Sequence, residues 1–109
     1  MDSFDVIISP KALSQLNEYI DYLQYTLLNE QAAYNVWQDA LDTRKELSKV
    51  AGSLKPCTHP LLNKYGYHLM SFLRHRYLML YRLEGQTVYV DAIYHQLQDY
   101  ENIFANQLP

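Results

Sequence analysis

At 109 residues the chain has the size of one small domain, read here as residues 1–109, and its 49% apolar content suffices for one core but not for a deep two-domain cleft. The net charge of −3 excludes a bulk nucleic-acid binder. No stretch nears the roughly 18–20 uncharged apolar residues of a membrane helix. Asp2 and Asp5 stand where an export signal carries bases, and Cys57 has no disulfide partner, so the expected setting is a reducing cytoplasm away from membranes.

Taken in chain order, Phe4 to Ile8 is a short run of branched residues and reads as a strand. Ser9-Pro10 supplies an N-cap and a first helical proline. A helix is expected from Pro10 to about Leu28, with Leu13, Leu16, Ile20, Leu23 and Leu27 as one apolar stripe. Asn29 ends that helix or caps the next. The second helix should run from about Glu30 to Val50, with Ala33, Trp37, Ala40, Leu41 and Leu47 inward and Gly52 as its stop. So short a connection implies an αα-hairpin.

Ser53 to Gly66 holds two prolines and reads as loop. Tyr67–Leu73, Tyr77–Leu83 and Thr87–Tyr94 are three strand-like runs, parted by Arg74-His75-Arg76 and Glu84-Gly85-Gln86. A short helix is expected from about Asp99 to Gln107, packing Tyr100, Ile103 and Phe104. The fold class is therefore α+β, in the order β-αα-βββ-(α): an antiparallel sheet with the helical hairpin on one face. The first strand must join the sheet, because its backbone groups need partners. The other face is expected to be only partly covered, hence a binding surface.

Charge is unevenly spread. Residues 1–46 hold eight acids and three bases, and residues 84–109 hold four acids and no base. Between them, 47–83 carries no acid but has Lys49, Lys55, Lys64, Arg74, Arg76 and Arg82, with His59, His68 and His75. A positive patch should follow. Four histidines and one cysteine lack metal-ligand spacing, and three glycines form no phosphate loop, so no metal or cofactor is expected. The eleven tyrosines suit a protein interface better than base stacking.

Several stretches resemble the RelE/ParE superfamily of type II toxin–antitoxin toxins. Val6-Ile-Ile-Ser-Pro-Lys-Ala12 is similar to the family's strand-to-helix passage. Leu28-Asn-Glu-Gln-Ala-Ala33 is similar to its inter-helix turn. Tyr77-Leu-Met-Leu-Tyr-Arg82 resembles its central strand, and Ile93-Tyr-His-Gln-Leu-Gln-Asp-Tyr100 its closing signature. The resemblance covers about residues 4–104. It implies a cognate antitoxin that wraps and neutralises the toxin, and operator DNA bound only through that antitoxin. An acidic, apolar antitoxin segment would find partners in Lys64, Arg74, Arg76, Tyr77, Arg82 and Tyr94.

The resemblance leaves three activities open. A ParE-like toxin binds a protein, DNA gyrase being the implied target, and needs no catalytic residue. A RelE-like toxin cleaves mRNA on the ribosome, which requires a base, cations and a proton donor. A third reading is a relic that only binds its antitoxin. Against the nuclease pattern, His68 and Met70 stand where lysines are usual, Leu78 replaces an arginine, and Gln96 replaces a base. The surviving catalytic candidates are His95, Arg74, Arg76, Arg82 and Tyr100. The H-x-x-x-D-Y pattern of His95, Asp99 and Tyr100 looks ParE-like.

Overall fold

The computed structural model describes residues 3–109; Met1 and Asp2 lie outside it, and with them one of the two N-terminal acids weighed above. Strand β1 spans Asp5–Ile8 and helix α1 Pro10–Asp21. Ser9 caps α1 by accepting from the Ala12 N–H at 3.0 Å. The helix ends a turn earlier than the apolar stripe suggests. Tyr22–Thr26 widens into a π turn, and Leu28 takes φ +51°. That left-handed conformation costs a non-glycine residue roughly 1–2 kcal/mol. Asn29 then caps α2, Glu30–Val50, through the Ala32 N–H.

Gly52 does not stop α2 alone; it sits inside a 3-10 turn, Ala51–Ser53. Any Cβ there would come within 3.1 Å of the Phe4 ring. The stretch expected as loop contains a short helix α3, Pro60–Lys64, started by His59 and Pro60. Strands β2, His68–Ser71, β3, Tyr77–Glu84, and β4, Thr87–His95, follow, then helix α4, Tyr100–Ala105.

The four strands lie in the order β1-β4-β3-β2. The expectation of an antiparallel sheet holds for β2, β3 and β4 but not for β1, which pairs parallel to β4. The sheet is mixed, with its parallel strand on one edge. Between Leu80 and Tyr81 the register slips by one, leaving Asp91 as an extra residue in β4. This bulge turns the Asp91 carboxylate toward the back of the sheet.

β1 is too short to cover all of β4. Helix α1 completes the ladder with side chains: Gln15 Oε1 accepts from the Ile93 N–H at 2.9 Å, and the Tyr19 hydroxyl lies 3.2 Å from the Ile93 carbonyl. These contacts satisfy backbone groups that would otherwise be orphaned.

The front core packs Leu16, Val36, Ala40 and Leu47 of the hairpin against Met79, Tyr81, Val88, Val90 and Ile93. Each large aliphatic buried this way is worth roughly 1.5–3 kcal/mol. The second helix turns a different face inward than expected. Val36, Asp39 and Thr43 are buried with Ala33, Ala40 and Leu47, while Trp37 and Leu41 stay about 40% exposed. Leu13 of α1 and Leu27 after the π turn also remain exposed.

The back of the sheet departs most from expectation. It is sealed over its centre by the chain itself. Cys57, Leu62, Tyr67 and Phe104 cover Leu78, Leu80, Ala92 and Tyr94. The residues responsible come from the proline-bearing segment and from α4, neither of which shows a long periodic pattern. The strip near β1 stays open, around Ile7, Tyr89 and the half-buried Arg82.

Candidate functional site

The residues expected to form a nuclease centre are only partly brought together: Arg76 neighbours His95 across the β3–β4 ladder, where the Gln96 N–H donates to the Arg76 carbonyl at 2.8 Å, but Arg82 and Tyr100 lie elsewhere. His95 points to the front, where the Tyr77 ring meets it edge-on at 5.1 Å. Tyr100 stacks on Tyr94 at 6.4 Å, on the back. Consecutive strand residues face opposite ways, so Tyr94 and His95 cannot share a site. Arg82 lies five residues along β3 from Tyr77, roughly 16 Å away. The His95 Nδ1 accepts from the Leu97 N–H at 3.1 Å, so the neutral ring carries its proton on Nε2. Burial raises the pKa of the Tyr77, Tyr94 and Tyr100 hydroxyls, so none supplies a base near neutral pH.

The expected positive patch is partly neutralised. Arg74 donates to Asp42 at 2.6 Å, a contact that lowers the Asp42 pKa and raises that of Arg74. Arg82 donates to Asp91 at 2.8 Å, bridges to Glu84 at 3.2 Å, and lies 4.5 Å over the Tyr89 ring. Tyr67 donates to the same Asp91 at 2.7 Å, and its own pKa is raised by burial first and by Asp91 second. Among the described residues, Arg76 and Lys64 have no ion-pair partner; Lys64 rests 5.9 Å from the Tyr65 ring. Tyr94, expected as a contact residue, is buried, and Tyr77 is half-buried against Tyr19 and Phe72.

A polar cluster on α2 gives the β2–β3 turn its shape. Asp39 is fully buried and accepts from the Arg74 N–H at 3.1 Å and from His75 Nδ1 at 2.6 Å. Thr43 donates to Asp39 at 3.3 Å and accepts from the Leu73 N–H at 3.1 Å. The basic turn is therefore latched onto the helix. Sequence reasoning missed this, though Asp39 and Thr43 fall on the same helical face as Val36, Ala40 and Leu47. That spacing is the available signal.

Three apolar side chains left outside the core, Leu13, Trp37 and Leu41, converge elsewhere. Between β1, α1 and α2 runs a groove of about 350 Å³ lined by Ile8, Leu13, Leu16, Trp37, Leu41 and Arg44. Past Arg44 and Leu41 it continues beside Phe4, Asp5, Val6, Lys45 and Ser48. Backbone direction alternates along a strand. Asp5 and Ser9 donate toward β4's chain, so Val6 and Ile8 turn their backbone groups outward into this groove. Arg44 donates to the Val6 carbonyl at 2.9 Å. Among the described residues nothing bonds the N–H groups of Val6 and Ile8. The groove thus offers an apolar floor, an unfinished strand edge and two cations, Arg44 and Lys45, against one acid, Asp5.

No protein-family model matches the chain, and no curated relative does. Among solved structures, a chain of the chromosomal ParDE TA system from P. aeruginosa is similar, with a TM-score of 0.70 at 20% identity. The match covers 85% of this chain and 96% of that one. The chain has a ParE-like fold. At this identity the likeness is one of fold, and it agrees with the RelE/ParE resemblance of the sequence motifs. Within the ParE-like fold, the scattered positions of His95, Arg82 and Tyr100 leave the open-edged groove as the best-formed site. No helix among the described residues is long and apolar enough to cross a membrane, and no group of three metal-ligating side chains occurs.

Proposed function

We propose that this chain is the toxin half of a type II toxin–antitoxin module, acting by binding a protein target and silenced by a cognate antitoxin. The observation that carries this reading is the groove between β1 and α2. An extended segment lying there would complete the β1 edge, bury apolar side chains against Trp37 and Leu41, and set carboxylates beside Arg44 and Lys45. Such a segment is the chemistry of an acidic, apolar antitoxin tail. Operator DNA would be reached through that antitoxin.

The target implied is a protein of the DNA gyrase kind. The separation of Arg82 and Tyr100 from His95 supports binding over cleavage. Expression of the chain alone in a bacterium should arrest growth, with filamentation and DNA damage while translation continues. Co-expression with the neighbouring reading frame should relieve the arrest. Replacing Leu41 by Ser or Arg44 by Glu should weaken neutralisation about tenfold or more while leaving the arrest intact. An immediate stop in translation with mRNA cut inside codons, lost in His95→Ala, would replace this reading with a nuclease.

A further inference from the structure

The end of the helical hairpin carries a second surface, opposite in charge to the groove. The π turn and the link after it expose Tyr22, Tyr25, Leu27 and Leu28 together; Tyr25 is 69% exposed and Leu28 81%. Beside them a shallow depression is lined by Ile20, Gln24, Glu30, Tyr34 and Trp37. None of the four exposed side chains belongs to either core.

Backbone and side-chain evidence point the same way. Leu28 sits at φ +51°, where glycine or asparagine is comfortable and leucine is strained. The preceding turn is π-helical, a distortion often found at functional sites. A strained backbone that ends by presenting a leucine to solvent serves no packing purpose in this chain.

Charge selects the occupant. Between Lys11 and Arg44 the sequence holds five acids and no base. Asp39 and Asp42 are engaged by the β2–β3 turn, which leaves Glu18, Asp21 and Glu30 around the apolar tip. A second copy would bring the same acids against themselves. An anionic membrane surface would repel them. An acidic antitoxin segment suits the Arg44–Lys45 groove instead.

We infer that the α1–α2 tip is the surface that engages the cellular target, through a protein recess of apolar floor and lysine- or arginine-rich rim. This rests on the toxin reading above and adds which part of the molecule meets the target.

Three variants test it: Tyr25→Ser, Leu28→Gly and Asp21→Lys. None should harm folding. Leu28→Gly relieves the strained φ, and Asp21→Lys places a cation at a helix C-terminus, where the dipole favours it. Each should raise the inducer dose needed for growth arrest by about tenfold or more. Thermal midpoints should stay level or rise, and calorimetric affinity for the neighbouring-frame antitoxin should stay unchanged. Arrest equal to the parent's in all three overturns the inference while sparing the toxin reading. Retained arrest with lost antitoxin affinity also overturns it, by giving the tip to the antitoxin. So does a parent dimer in sedimentation that Asp21→Lys dissociates. A parent chain that arrests nothing sinks the toxin reading, and this inference with it.

Discussion

The front and back of the sheet are covered by different means. In front, two long helices lie across the strands and bury a continuous core. Behind, a proline-bearing segment, the five-residue α3 and the six-residue α4 share the work. Long helices hold their shape when one side chain is cut back, because many contacts fix each turn. Short segments move into the space. The same truncation should therefore cost more in front than behind.

Leu47 and Leu62 make the comparison directly, since both are fully buried leucines. Leu47→Ala should lower stability by about 4–5 kcal/mol, the upper part of the range for buried leucines. Asp39→Ala should come next, at about 3–4 kcal/mol, because it strips the Arg74 N–H and the His75 ring of their acceptor. Leu62→Ala should cost about 2–3 kcal/mol. Denaturant titrations of the three variants check the ranking. Equal losses at Leu47 and Leu62 would mean that the back is as rigid as the front.

Alkaline pH gives the smallest contrast. Burial raises the Cys57 thiol, on the back, from 9.0 to about 11. It raises Tyr81, in the front core, from 10.0 to about 12. Both groups are neutral when protonated, so their folded states hold the proton longer. The stability they contribute is whole below the ordinary values and falls as pH climbs through the raised ones. Thermal midpoints should decline first between pH 9 and 11, and Cys57→Ala should remove that early limb. At pH 8, alkylation of Cys57 should wait for unfolding.

The same contrast explains what could be read from the sequence. The strands, the two long helices and their order follow from periodicity and turn residues, and the structure keeps them. Trp37 and Leu41 read as inward because large apolar residues dominate the pattern of α2, whereas Asp39 and Thr43 take the buried face. A buried aspartate leaves no compositional trace; only its helical spacing with Val36 and Leu47 betrays it. The back cover was missed because residues 54–66 have no period and α3 is barely one turn long. The groove was invisible for a related reason. It exists where β1 stops short, and strand length against its neighbour is a tertiary fact.

Gln15 and Tyr19 finish the outer half of β4, and Pro56 bridges to His68 along the free side of β2. Exposed strand borders are where like molecules stack into fibrils. With the outer half of β4 and the start of β2 covered, the β1 slot is one border left through which crowded copies of this chain could zip together. Filling that slot with a bound peptide should then protect a concentrated solution from clouding as well as quiet the molecule.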